Sequence, residues 1–294
     1  MKPLFLAIRW KTLSASFAPI MVATALVSLT QNKVLWWVSG LCLAGSLFIQ
    51  IATNLLNDVI DFRKGADTSE RVGPQRVTAS GVMSEKKVFA YAILMLILAM
   101  LCGVPLVLLG GTPVLIIGLV SLFMAYSYTG GPFPLAYLGL GDLFVILFFG
   151  LIAVMGTYYL HTGLLFQIDA FIAGLQVGFL STILIAINNF RDIEQDKKAN
   201  KKTLAVRFGS KFARYEILFL MASTFLLNGY WFYRGWYVAA ALPLILLSTA
   251  YLLLRDIFIE NPSEKFNGFL ARSAKLQMLF CFQLTLGLAL EHLV

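Results

Sequence analysis

Apolar residues in this chain are gathered into long blocks separated by short polar ones. Runs of about 20 mainly apolar residues, enough to cross the hydrocarbon core of a bilayer as a helix, fall near 12–30, 35–58, 87–108, 112–129, 138–160, 168–190, 213–232, 236–254 and 273–291. The pattern predicts nine transmembrane helices. The breaks between the third and fourth runs and between the seventh and eighth are very short and read as tight turns between antiparallel neighbours. Composition agrees: of 294 residues, 59% are hydrophobic and 13% charged, with a mean hydropathy of +0.82. A soluble domain carries roughly a quarter charged residues. The expected fold class is all-α, a polytopic membrane protein with a single domain over 1–294.

The polar blocks are not equivalent. Lys2, Arg9 and Lys11 precede the first run. Arg63, Lys64, Arg71, Arg76, Lys86 and Lys87 lie between the second and third, and eight further Lys and Arg residues from Arg191 to Arg214 lie between the sixth and seventh. Arg255, Lys265, Arg272 and Lys275 follow the eighth, and only Lys33 and Arg234 fall in alternate connectors. Cytoplasmic loops carry the excess of basic residues, so the N-terminus is expected in the cytoplasm and the C-terminus outside. The net charge of +8 is thus a topology signal, with no nucleic acid implied. The basic start and apolar run also fit a cleaved signal peptide. The length of the run and Pro19 within it favour a retained first helix. Cys42, Cys102 and Cys281 sit inside apolar runs without a CxxC pair, and His161 and His292 lie at segment ends. A histidine-based metal site or catalytic triad is not expected from this pattern.

Two stretches place acids where charge is expensive. Continued helically, the second run brings Asn54, Asn57, Asp58 and Asp61 onto one face at i, i+3, i+4 and i+7, and Asp67 can fold back after Gly65. The sixth run ends similarly, with Asn188, Asn189, Asp192 and Asp196 together and Glu194 pointing elsewhere. Asn and Asp cap helices at N-termini, whereas these sit at C-termini, where the helix dipole disfavours anions. Clustered carboxylates repel unless a cation lies among them. Hard oxygen ligands with room for phosphate suit Mg²⁺ better than zinc or iron. A third stretch, 126–142, holds Tyr126, Tyr128, Tyr137 and Asp142 around a helix-breaking Gly130-Gly131-Pro132, with no Lys or Arg. It reads either as an aromatic belt at the membrane interface or as the wall of an isoprenoid or aromatic pocket.

Acids, basic neighbours and apolar surroundings suit a Mg²⁺-bridged diphosphate with a hydrocarbon tail: a polyprenyl diphosphate. Stabilising the departing diphosphate would leave an allylic cation, which tyrosine faces could stabilise, for attack by an electron-rich second substrate. Water must be excluded meanwhile.

The two clusters resemble the paired aspartate motifs of the UbiA superfamily of intramembrane prenyltransferases. The first motif there is commonly Asn-Asp-x-x-Asp-x-x-x-Asp. The chain matches through Asn57, Asp58 and Asp61, with its last acid, Asp67, two positions late. The form Asn57-x-x-x-Asp61-Phe62-x-Lys64-Gly65-x-Asp67 resembles the branch acting on 1,4-dihydroxy-2-naphthoate in menaquinone synthesis. So do Arg71-Val72-Gly73-Pro74-Gln75-Arg76, Tyr128-Thr129-Gly130-Gly131-Pro132, and the stretch from Asn188 to Gly209, with Phe266-Asn267 a weaker match. The resemblance implies nine spans around a central cavity opening near the cytoplasmic face of a bacterial plasma membrane, and Mg²⁺ dependence. It also implies polyprenyl diphosphate and 1,4-dihydroxy-2-naphthoate as substrates among membrane lipid, with loss of CO₂ and diphosphate to give a demethylmenaquinol.

The expected metal ligands are Asp58, Asp61, Asp67, Asp192 and Asp196, with Asp61, Asp192, Asp196 and Tyr128 nearest the chemistry. Substrate contacts are expected from Asn54, Asn57, Arg76, Tyr137, Asn188, Asn189, Arg191 and Lys202. Two other kinds of function share these features. One is the same transfer to 4-hydroxybenzoate, homogentisate, haem or a chlorophyll precursor. The other is cation-coupled transport with the acids as ion sites, although transporters place such sites near the midplane on broken helices. A binding-only lipid scaffold would need no such paired clusters.

Overall fold

The structure, a computed structural model, describes residues 6–31, 33–65, 72–74, 76–132 and 134–291. Among these, regular secondary structure is entirely helical. The principal helices are α1 (Ser14–Gln31), α2 (Trp36–Arg63), α3 (Glu85–Ser127), α4 (Gly141–Thr162), α5 (Ile168–Arg191), α6 (Leu204–Leu226), α7 (Tyr237–Ile259) and α8 (Phe266–Leu290). All but α6 are long and apolar enough to cross a membrane, giving seven such segments among the described residues. The nine runs of the sequence differ from these seven in two places. The third and fourth merge into the 43 residues of α3, and the seventh is divided between the end of α6, whose Arg207, Lys211, Arg214 and Glu216 lower its hydropathy, and a short helix over Asn228–Tyr233.

A straight 43-residue helix would be about 65 Å long, twice the thickness of a bilayer core. It is not straight. Gly111 has φ 67° and ψ −152°, outside any helical region, a conformation open to glycine for want of a Cβ. Glu85, at one end of α3, bonds Arg63, and Thr129, just beyond the other, accepts a bond from the neighbouring Lys64. The Gly111 turn packs instead near Val38 and Leu160 through Leu106 and Val114. Helix α3 is therefore a hairpin of two antiparallel arms running back along α2.

Helix α5 is the central post. It packs on α4, α6, α8 and α1, and its apolar face includes Val177, Leu180, Ile183 and Ile187, all at or below 1% exposure. Its contact with α4 is backbone-close: a Cβ on Gly150 would lie 2.5 Å from the Gly174 carbonyl oxygen and 2.7 Å from Gly178 Cα. Small residues permit such approaches between helices that lack a hydrophobic drive to associate in lipid. At this contact α4 widens into a π-helical segment over Ile146–Ile152, a departure often found at functional sites. Phe148 and Phe149 of that segment line the central cavity.

The bundle has two distinct ends. Arg9, Arg63, Lys64, Lys201 and Asn267 gather at one, through contacts with Asn54, Glu85, Thr129, Asp61 and Arg191. At the other, Arg234 pairs with the buried Asp169 at 2.8 Å, and Glu291 caps the amides of Val238 and Ala239.

Candidate functional site

A cavity of about 920 Å³ occupies the middle of the bundle. Its polar end is built where α2 and α5 terminate. Asn54, Asn57, Asp58 and Asp61 from α2 face it, as do Asn188 and Asn189 from α5 and Asp192 and Asp196 just beyond. The helical spacing that puts each set on one face is the reason they converge. Arg76, Tyr128, Thr129 and Lys201 complete this end. The walls beyond it are apolar, with Val104, Leu106, Val107, Leu122, Phe144, Phe148 and Leu160 among them.

Asp61 is 3% exposed. Its Oδ1 accepts from the Tyr137 hydroxyl at 2.9 Å and its Oδ2 from Lys201 Nζ at 3.3 Å, with Arg76 Nη2 4.0 Å away. Lys64 lies 4.1 Å above the Tyr137 ring and Lys201 4.9 Å from it. Burial lowers the pKa of the Lys64 ammonium, Asp61 opposes that shift and Lys201 adds to it. One carboxylate thus stands among three cations, an excess of positive charge that suits a polyanionic ligand.

Asp192 has a different setting. Arg191 Nε and Nη2 meet its two oxygens at 2.7 Å and 2.6 Å. The same guanidinium donates to Asn188 Oδ1 at 2.8 Å and to Asn267 Oδ1 on α8 at 2.7 Å. Asn267 in turn donates to the Val72 carbonyl at 3.1 Å. The Arg191 side chain is fully buried and points into this network. The sequence reading gives Arg191 a place at the diphosphate; here its guanidinium is engaged by Asp192, Asn188 and Asn267. Asp196, one turn on and 9% exposed, lines the same end.

Two more expected residues have other occupations. Asp58 accepts from the backbone amides of Thr78 at 2.9 Å and Val77 at 3.3 Å. Its carboxylate pins the loop that carries Arg76. Lys202 is exposed, and its carbonyl accepts from Arg207 while its amide donates to the Tyr137 carbonyl. Lys201, which the sequence reading passes over, is the lysine in the cavity. In a run of two lysines only the path of the backbone decides which faces inward. Asp67, Arg71 and Gln75 lie outside the described residues, as does His292.

The remaining expected residues have these settings. Asn54 donates to the Ile8 carbonyl at 2.8 Å and to Thr12 at 3.2 Å, fixing the segment that brings Arg9 to the cavity. Asn57 accepts from the Thr129 hydroxyl. Tyr128 starts an aromatic row: its ring is 5.8 Å from Phe144, which stacks on Phe148 at 4.2 Å. Burial first, and the Asp142 charge next, push the Tyr128 phenol above its usual range, so it stays a neutral ring at the cavity wall.

No three Asp, Glu, His or Cys side chains among the described residues are grouped closely enough to hold an ion unaided. This donor set fits Mg²⁺, which commonly keeps its waters and binds through one or two carboxylates together with substrate phosphates. The arrangement can hold a diphosphate at the polar end, a hydrocarbon chain along the apolar walls, and π faces between them.

A model of the UbiA prenyltransferase family matches residues 16–274. The chain is 35% identical to the 1,4-dihydroxy-2-naphthoate octaprenyltransferase of Escherichia coli (strain K12), over 84% of this chain and 83% of that one. Its fold is similar to the apo structure of a UbiA homolog from Aeropyrum pernix K1, with a TM-score of 0.70 and 16% identity over 97% of this chain and 98% of that one. It is also similar to a UbiA homolog from Archaeoglobus fulgidus bound to GPP and Mg²⁺, with a TM-score of 0.63 and 19% identity over 98% and 99%.

Proposed function

The chain belongs to the UbiA prenyltransferase family, and from that premise we propose that it transfers a polyprenyl group from polyprenyl diphosphate to 1,4-dihydroxy-2-naphthoate, with Mg²⁺ and with loss of CO₂ and diphosphate. The observation that carries this reading is one continuous cavity, with Asp61, Asp192 and Asp196 beside Arg76 and Lys201 at its polar end and apolar walls beyond. The acceptor is inferred from relatives named for that reaction.

In this reading Asp61, Asp192 and Asp196 hold Mg²⁺, which when bound supplies positive charge against the diphosphate oxygens. Asp58 serves the loop under Arg76 instead. Arg76 and Lys201 take up charge on the departing diphosphate. Tyr128, Phe144 and Phe148 present π faces to the allylic carbon as it becomes cationic. The apolar walls exclude water, which would otherwise capture that cation. The polar end faces the cytoplasm of a bacterial plasma membrane, in keeping with the basic residues gathered there.

The test uses purified protein in detergent with a polyprenyl diphosphate, with and without Mg²⁺. 1,4-Dihydroxy-2-naphthoate and 4-hydroxybenzoate are offered in parallel and lipid products followed by mass spectrometry. A Mg²⁺-dependent product from the naphthoate alone, lighter by CO₂ than the simple adduct, is expected. Product from the benzoate alone would overturn the acceptor and keep the reaction class.

A further inference from the structure

Below the charged rim the cavity carries a second, uncharged polar level that the metal and diphosphate do not use. Gln50 on α2 lies seven residues before Asn57, and Ser181 on α5 lies seven before Asn188. Each is therefore about 10 Å deeper along its helix than the rim asparagine. Ser16, near the start of α1, joins them, and all three line the cavity.

Their hydrogen bonding is unequal. Ser181 is fixed: its hydroxyl donates to the Val177 carbonyl at 2.8 Å and accepts from Gln277 Nε2 at 2.7 Å. Gln277, fully buried, accepts in turn from Ser14 at 3.0 Å. Ser181 is left with acceptor capacity only. Gln50 is 9% exposed, and its amide makes no hydrogen bond to the described residues. Ser16 is 1% exposed and its hydroxyl also lacks a partner there. Ser46, one turn from Gln50, is already spent on the carbonyls of Leu43 and Ser16.

A buried hydroxyl without a partner is costly unless something completes it, and the Gln50 amide, facing the same cavity, has donors and an acceptor to offer. A prenyl tail has no polar atom to offer. A diphosphate belongs at the rim, where the cations are. The reactant with oxygens attached to a flat apolar body is the aromatic acceptor. We infer that Gln50 and Ser16, with Ser181 opposite, form the subsite that binds the ring oxygens of the acceptor and so selects and positions it. The Gln50 amide donates to an acceptor oxygen and a ring hydroxyl donates to Ser181. This inference rests on the prenyl-transfer reading above.

The test is steady-state kinetics of the full chain in detergent, for wild type, Gln50→Leu, Gln50→Glu and Ser16→Ala. Acceptor is varied at saturating donor, and donor at saturating acceptor, using whichever of the two acceptors the wild type prenylates. Gln50→Leu is expected to raise the acceptor KM about five- to tenfold, the value of a lost hydrogen bond, and to leave the donor KM within about twofold. Gln50→Glu is expected to raise it further, because its charge opposes an anionic acceptor. Acceptor KM values within twofold of wild type in both Gln50→Leu and Ser16→Ala would overturn the inference and make this level a water site. A donor KM rising in parallel would overturn it too. A wild type that prenylates neither acceptor overturns the reaction assignment itself, and the subsite with it, which separates the two failures.

Discussion

Arg191 grips the carboxylate of its own neighbour, Asp192, through two parallel bonds of 2.7 Å and 2.6 Å, both partners buried. A planar fork of this kind fixes direction as well as charge. Arg191→Lys keeps the charge and loses the fork, along with the bond to Asn267 on α8. It is expected to lower kcat by about 10–100-fold, as loss of a group orienting a metal ligand does, and to raise the Mg²⁺ concentration needed for half activity. The donor KM should stay nearly constant. A large rise in donor KM at unchanged Mg²⁺ demand would instead make Arg191 a direct diphosphate contact.

Asp61 and Asp192 carry the metal assignment. Asp61→Asn and Asp192→Asn preserve shape and one acceptor oxygen while removing a charge. Each should reduce transfer by at least about 10²–10³-fold, the scale of losing a principal electrostatic group. Both variants should still insert into membranes and run as a single species in size-exclusion chromatography. Near-normal turnover by both would sink the assignment.

The two adjacent lysines give a sharper contrast. Lys201 sits 3.3 Å from Asp61 inside the cavity, and Lys202 is exposed. Lys201→Met should raise the donor KM about tenfold or more, the cost of removing a partly buried charge from a phosphate site. Lys202→Met should change it by less than about twofold, as surface charges do. Reversed effects would show that the chain past Asp196 runs differently from the path described.

Asp58 separates loop anchoring from metal binding. Asp58→Ala leaves the amides of Val77 and Thr78 without their acceptor, at about 1–3 kcal/mol for a buried group. The connector from residue 72 to 84 should then be cut faster by a soluble protease. Asp58→Asn keeps an acceptor oxygen and should largely restore resistance. The Mg²⁺ dependence of the residual activity should match wild type in both.

Much of this was legible in the chain. Spacing of i, i+3, i+4 and i+7 placed the Asn and Asp faces, because helix geometry turns sequence intervals directly into direction. The tight turn at 109–111 was visible as a break between apolar runs. Side-chain partners were not legible: nothing local tells Asp58 that the Val77 and Thr78 amides will fold onto it, or Arg191 that Asn267 will arrive from α8. The Gln50 level was passed over because one glutamine and scattered serines in apolar runs look like ordinary helix polarity. Only the cavity shows that they face the same space.

The hairpin of α3 carries the last prediction. Gly103 and Gly118 lie eight and seven residues either side of Gly111, so the turn brings them to matching heights on the two arms. Both line the cavity, and a Cβ on either would meet nothing within 4 Å. Beside them Val104, Leu108 and Leu119 line the cavity and are 55%, 83% and 59% exposed. These exposed apolar residues between the arms are taken as the slot by which the prenyl tail leaves the cavity. A long prenyl tail can pass through such a slot, and a short one need not reach it. Gly118→Phe should close the slot without straining the backbone, since its φ is not positive. Transfer from geranyl diphosphate should stay within about threefold of wild type, and transfer from an octaprenyl donor should fall about tenfold or more, the scale on which apolar pockets reject excess bulk. Equal losses with both donors would mean that the tail leaves by another route and that the phenylalanine disturbs the site itself.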